Sequence, residues 1–400
     1  MNQKMTATLS SFSTALPKLD GLDQSSTSAF EAFKLPEGNQ RELGPPHQPA
    51  TVSPLALRST QQQDNPVTLD GAVQAIKALQ AQGGILTQKL ATHGTLLFRG
   101  LPVYTAHDFS KFAHAFGFQA HEIIGIVVNR PELAPNVAPA NEAPPTTLIG
   151  SHNESPQVPH APEYIFFYCH KAPEVGGETP ISSSLELFYR VQQELPDFTT
   201  ELAQKGILSS VTYKVEKQHS AGSTLRQAFG KEIVDGDDAA TKRAKIEAQI
   251  ARYCRGEHTT WEWQDDGNTL TVVHRLSAIR TQPGTNLPSL FTNLAAYYKL
   301  LMAGGKAPRV QTFGDGTPVP GDVLKRVAEI TDEIKVLHKW QEGYVLVYDN
   351  VIAQHGRQPW VGEQGDRLVL ASLFDGERLP GPYSDADWAQ VVPAREALAV

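Results

Sequence analysis

His152 and Glu154 stand on either side of one asparagine in "LIGSHNESP" (148–156). A histidine and a carboxylate two positions apart project to the same side of an extended chain, so one short strand could offer two metal ligands. Frequency alone says little. With 13 His and 43 acidic residues in 400, chance supplies about 1.4 such pairs, and this chain has one. On its own the pair reads equally as a loop histidine beside a solvated glutamate.

Residues downstream give the pair its weight. A non-haem iron centre needs two neutral imidazoles and one carboxylate on one face, with positions left open for other ligands. The third ligand must then come from a distant strand, and His355 in "YDNVIAQHGR" is the candidate, just after the alternating run "YVLVYD". Twelve residues further on, Arg367 opens the apolar run "RLVLASLF". An arginine close behind a metal ligand can hold a dicarboxylate by a bidentate fork. Between the two ends lies "GGETP" (176–180), where the Thr179 hydroxyl could bond the same carboxylate and the glycines allow close backbone approach.

The elements that must carry these residues are partly legible. "LDGAVQAIKALQAQGG" has helical spacing and a Gly-Gly stop, and "TAHDFSKFAHAFG" reads as a helix capped by Thr105 with Asp108 three residues on. "GTLLFRGLP", "EYIFFYCHKAP", "EGYVLVYDN" and "DRLVLASLFD" read as strands, and "TTWEWQDDGNTLTVV" as a hairpin around Asp-Gly. Helices are expected over "SSSLELFYRVQQEL", "DGDDAATKRAKIEAQIARYCRG" and "PGDVLKRVAEITDEIKVLHKW". Residues 1–65, rich in Ser, Thr, Gln and Pro, read as a flexible or extended N-terminal arm. The Pro-rich stretch 131–147 reads as a long loop of the lid or binding kind. Residues 66–400 then form a single domain, mainly β with helical insertions (α+β), the largest insertion falling at about 198–335. The absence of a regular βαβα alternation disfavours a doubly wound sheet and favours a sandwich or jelly roll.

Composition limits the partners. The net charge of -8 and pI near 5.9 argue against nucleic acid or an anionic membrane surface. Two cysteines, Cys169 and Cys254, exclude a disulfide framework, and a reducing, cytoplasmic setting is expected. The pattern expects a small-molecule substrate and leaves homo-oligomerisation open.

The order His-x-carboxylate, Gly-Gly-x-Thr, distal His, Arg resembles the taurine-dioxygenase-like (TauD/TfdA) family of Fe(II)/2-oxoglutarate oxygenases. The wording "SHNE…FFYC…GGET" and "HGR.PW…RL" is most similar to its amino-acid-oxidising branch, which includes aspartyl and asparaginyl hydroxylases of peptide-antibiotic pathways. The resemblance spans about residues 90–375. It implies His152, Glu154 and His355 as iron ligands, Thr179 and Arg367 as partners of 2-oxoglutarate, and a distorted double-stranded β-helix (jelly roll) core. It further implies that dioxygen is consumed, that succinate and CO2 are released, and that an unactivated C–H bond of a small amino acid is hydroxylated, desaturated or cyclised. The carboxylate is Glu rather than the commoner Asp, and an intact carboxylate argues against a halogenase. Position 371, where taurine-type enzymes carry a second arginine, is Ala, which argues against a sulfonate substrate. For the substrate, Arg357 beside the distal ligand and Asn293 in "FTNLAAYY" are the candidates. His114, His121, His160 and His170 show no partner pattern and are expected to be structural or exposed.

Three other readings remain at this point: oxidation of a carrier-bound aminoacyl group, a non-catalytic small-acid-binding relative, and a zinc hydrolase. The last leaves Thr179 and Arg367 without a role.

Overall fold

The strand Tyr164–Lys171 shows how this sequence builds its core. Successive side chains of a strand point to opposite faces. Phe166 and Tyr168 face one way, against a layer of helices, while Ile165, Phe167 and Cys169 face the other, toward a second sheet. Burial on both faces explains why "YIFFYC" is continuously apolar instead of alternating. In the computed structural model, the described residues are 29–376 except 37, 61–65, 126–129, 141–142, 216–222, 254–258, 265–266, 283–284 and 305–310.

That strand lies inside the largest sheet. Its order is Phe30–Phe33, Leu55–Ser59, Thr95–Arg99, Val345–Asp349, Tyr164–Lys171, Leu368–Asp375 and Gln119–Ala120, with Ala138–Pro139 also pairing to Leu368–Asp375. All contacts are antiparallel except Leu55–Ser59 against Thr95–Arg99. The helices Leu69–Ala81, Ile85–His93 and Ala106–His114 cover one face through Ile76, Leu90, Phe109 and Phe112. The Ala106–His114 helix starts at the expected capping box of Thr105 and Asp108. The other face packs on a four-stranded sheet ordered Val336–His338, Thr179–Ser183, Ala353–Arg357 and Ile149–His152.

Two expectations change. The segment expected as an N-terminal arm contributes, from residue 30 onward, the two strands Phe30–Phe33 and Leu55–Ser59 of the large sheet. Their apolar runs are short and separated by turn residues, so composition concealed them; residues 1–28, 37 and 61–65 of the expected arm lie outside the described residues. The segment 198–335, expected as a helical insertion, holds helices, including Ala239–Tyr253 and Gly321–Glu333, but also its own four-stranded sheet. The expected hairpin is part of that sheet, with Thr259–Gln264 antiparallel to Thr269–Leu276. Cys169 is a buried core residue whose thiol burial pushes up to about 12, while Cys254 lies outside the described residues. No helix among the described residues is long and apolar enough to cross a membrane.

Candidate active site

The strand register puts two distant histidines together. Ile149–His152 and Ala353–Arg357 are antiparallel neighbours, and His152 is directly opposite His355. Residues so paired have side chains on the same face, about 4.5–5.5 Å apart at Cβ. The two rings lie 4.5 Å apart, centroid to centroid. Glu154 reaches the same point: its Oε2 is 3.4 Å from His355 Nε2 and 4.0 Å from His152 Nε2.

The intervening Asn153 explains why the pair projects together. It is fully buried and points away from the histidines, donating to the Asn350 carbonyl at 2.6 Å and to Ser184 Oγ at 3.1 Å. Its own oxygen accepts from the Thr292 N–H at 2.9 Å. Asn350, five residues before His355, clamps Glu154 from both sides, accepting from its N–H at 2.7 Å and donating to its carbonyl at 3.0 Å. Ser155 then turns the chain at φ 54°, a left-handed conformation uncommon for a residue with Cβ. Both asparagines went unassigned from sequence; the available signal was a polar residue sitting inside each motif, "HNE" and "YDN".

The protonation states suit a cation. A carbonyl oxygen can only accept, so the 2.8 Å contact to Gly150 fixes the proton of His152 on Nδ1 and leaves the lone pair on Nε2. Burial, reinforced by the neighbouring His355, lowers the His152 pKa to about 4, so the ring is neutral near pH 7. For Glu154 burial acts upward, but His355, His152 and Arg130 together outweigh it and bring the carboxyl to about 2. Two imidazoles and an ionised carboxylate, with ligand atoms all within 4.8 Å of one another, fit a divalent transition metal with positions left open.

These groups line a cavity of about 530 Å³ between the two sheets. Phe167, Val369, Ala371 and Leu373 form its wall on the large-sheet side. Thr179 and Arg367 line it as well. Thr179 is buried at the start of its strand, where its hydroxyl accepts from Trp340 Nε1 at 2.9 Å. Arg367 donates from Nε to the Gly177 carbonyl at 3.0 Å, which aims the planar head and leaves its terminal N–H groups for another acceptor. The paired glycines are steric necessities. A Cβ on Gly176 would fall 2.4 Å from the Pro359 carbonyl oxygen, and one on Gly177 would fall 3.0 Å from Arg367 Cδ and 2.7 Å from Pro173. Both also have positive φ, 81° and 72°.

The substrate candidates fare differently. Arg357 lines the cavity, but it donates to the carbonyls of Ala143, Pro144 and Thr147 at 2.9, 2.7 and 2.7 Å. Its guanidinium also stacks 4.5 Å from the Trp360 ring centre. Both terminal nitrogens of Arg357 thus bond carbonyls of the Pro-rich loop and tie that loop to the cavity wall. Asn293 is not among the cavity-lining residues. It stands at the N-cap position of the helix Leu294–Met302 without a side-chain capping bond, accepts from Gln311 Nε2 at 2.6 Å, and borders a separate small crevice. Sequence reasoning missed Arg130, a cation on the cavity wall just before that loop, and Glu132, a carboxylate on the wall at the start of it. It also missed that His121 and His160, expected to be structural or exposed, converge on Asp375.

Residues 60–372 match the family described as "Taurine catabolism dioxygenase TauD, TfdA family". The chain belongs to this family. It is an Fe(II)- and 2-oxoglutarate-dependent dioxygenase, with dioxygen as the cosubstrate. The dioxygenase is 31% identical over 298 residues to a clavaminate synthase-like protein of Arabidopsis thaliana, covering 74% of this chain and 86% of that one. It is 27% identical over 295 residues to the dapdiamide synthesis protein DdaC of Enterobacter agglomerans, covering 70% and 83%. A crystal structure of a taurine dioxygenase from Burkholderia xenovorans matches with 13% identity over 93% of this chain and 99% of that chain, at a TM-score of 0.44.

Proposed function

We propose that the dioxygenase binds Fe(II) through His152, His355 and Glu154, holds the distal carboxylate of 2-oxoglutarate with Arg367 and Thr179, and oxidises an unactivated C–H bond of a small free amino acid, releasing succinate and CO2. The observation that carries this reading is the meeting of the two Nε2 atoms and one carboxylate in the cavity that Arg367 and Thr179 also line. Iron with 2-oxoglutarate and dioxygen supplies the oxidising power, which no side chain of this protein has. The protein supplies position. Gly150 and Asn350 hold the ligand geometry, and Gly177 aims Arg367. The apolar strand wall of Val369, Ala371 and Leu373 keeps that side of the cavity dry.

An amino acid suits the remaining wall. Arg130, which donates to the Pro139 carbonyl at 3.1 Å, puts a positive charge on that wall for a carboxylate, and Glu132, which accepts from the Asn136 N–H at 3.0 Å, puts a negative charge there for an ammonium. The large sheet and the four-stranded sheet facing it are read as the two faces of a distorted double-stranded β-helix. On this reading the oxygenase domain includes the strands Phe30–Phe33 and Leu55–Ser59 that join the large sheet, and so begins before the expected boundary at residue 66, with the 198–335 segment as its insertion.

The test is succinate release. Purified protein with Fe(II), 2-oxoglutarate and air is screened against free amino acids and, separately, carrier-bound aminoacyl groups. A free amino acid that raises succinate release and is itself oxidised supports the proposal. Stimulation by carrier-bound groups alone would contradict it.

A further inference from the structure

Three residues from distant parts of the chain form a second cluster of metal-ligating groups. His121 Nδ1 lies 2.7 Å from Asp375 Oδ1, and His160 Nε2 lies 3.4 Å from the same oxygen. The two imidazole rings are 4.5 Å apart. All three side chains are at least nine-tenths buried, with 3%, 10% and 2% of the His121, His160 and Asp375 side chains exposed.

The backbone builds this arrangement. Asp375 ends the Leu368–Asp375 strand, whose last residues pair with Gln119–Ala120. The His121 N–H continues that pairing by donating to Leu373 O at 2.9 Å. The segment after Glu154, which carries His160, is pinned to the same strand end by the Glu163 N–H donating to Phe374 O at 2.9 Å. His121 also lines the main cavity. The second cluster is therefore fixed by sheet pairing and joined to the first by residues 154–160.

Hydrogen bonding alone does not complete it. Asp375 Oδ1 faces both imidazoles, yet buried Oδ2 has no hydrogen-bond partner among the described residues. Buried carboxylate oxygens are ordinarily hydrogen-bonded, and buried charges are normally paired or bound to metal. The Asp375 carboxylate can only accept, so the Nδ1 facing it carries the His121 proton, and a metal ion bound at this point takes that proton's place. First-row ions bind imidazole nitrogen and carboxylate oxygen at about 2.0–2.2 Å, which sets ligand atoms roughly 3–4 Å apart. The spacing of these three groups needs only small adjustment to reach that.

We infer that His121, His160 and Asp375 form a second site for a divalent first-row metal ion, separate from the iron site and bordering the same cavity. Zinc is the probe, because two imidazoles and a carboxylate are a common ligand set for it.

Metal-stripped full-length protein is titrated with Zn(II), passed over a desalting column, and its bound zinc counted by elemental analysis. Wild type is expected to retain two equivalents. His121→Ala/His160→Ala and, independently, the isosteric Asp375→Asn should each retain one, with circular dichroism showing the fold intact. His152→Ala/His355→Ala should also retain one, so failure of the iron reading shows in that variant and failure of this inference in the others. One equivalent in wild type, or two in Asp375→Asn, would overturn the second site. Asp375→Asn carries the test if the double variant does not fold.

Discussion

His152 and His355 are cross-strand partners, directly opposite each other on neighbouring antiparallel strands. This one register sets the candidate iron site. Sliding either strand by one residue would turn its histidine to the other face. Gly356 and Gly150 show how firmly the register is held. A Cβ on Gly356 would fall 2.5 Å from the Ile149 carbonyl oxygen, and one on Gly150 would fall 2.7 Å from the Ala296 backbone. The strands carrying both histidines pass their neighbours at backbone contact distance.

Arg367 and Gly177 should behave as one unit. Arg367→Ala removes a charge-assisted contact worth about 1.5–3 kcal/mol, so the 2-oxoglutarate concentration needed for half-maximal turnover should rise tenfold or more. Gly177→Ala pushes a methyl against Arg367 Cδ and should shift the same parameter in the same direction. The Fe(II) requirement should move much less in both. Steady-state titration of each component checks this, and equal shifts for iron and 2-oxoglutarate would count against the assignment.

Arg357 should act on the Pro-rich loop. Arg357→Ala leaves the carbonyls of Ala143, Pro144 and Thr147 without their donor. Limited proteolysis should then cut within 131–147 several times faster than in wild type. Unchanged cleavage would mean that the loop is held by other contacts.

Stability should fall on acidification. His338 is fully buried, neither ring nitrogen has a hydrogen-bond partner among the described residues, and burial lowers its pKa to about 4. Below its ordinary value of about 6.5 the unfolded chain takes up a proton that the folded chain refuses. The contribution is therefore fully present above pH 6.5 and is lost as pH falls toward 4. His47 and His152 are lowered to about 4 as well and act in the same direction. Asp349, raised to about 6 by burial, opposes them, since its contribution is present below about pH 3.8 and lost as pH rises through 6. From pH 7 to pH 5 His338 alone should cost about 2 kcal/mol. Urea midpoints at the two pH values measure the loss, and His338→Leu should flatten the slope. A pH-independent midpoint would contradict the burial argument.

The projection of His152 and Glu154 to one side, the Thr105 capping box and the strands "YIFFYC" and "YVLVYD" were legible because their signals are local: spacing, capping chemistry and apolar runs. What was not legible depends on distant partners. Asp375 meets His121 and His160 only through the pairing at the end of one strand. Arg357 beside His355 suggested an anion site, but its partners are backbone carbonyls some two hundred residues away in sequence, which no side-chain pattern announces. Asn293 fitted a motif by type alone, and its helix places it at a different crevice. The strand Phe30–Phe33 was concealed by its shortness within a polar segment.

The iron site itself has one direct measurement. Metal-free protein is mixed anaerobically with Fe(II) and 2-oxoglutarate, and the weak visible charge-transfer band of the iron-bound 2-oxoglutarate chelate is recorded. The assignment of His152, Glu154 and His355 predicts the band in wild type and its loss in His152→Ala and His355→Ala. Absence of the band in wild type, or its survival unchanged in both variants, would contradict it.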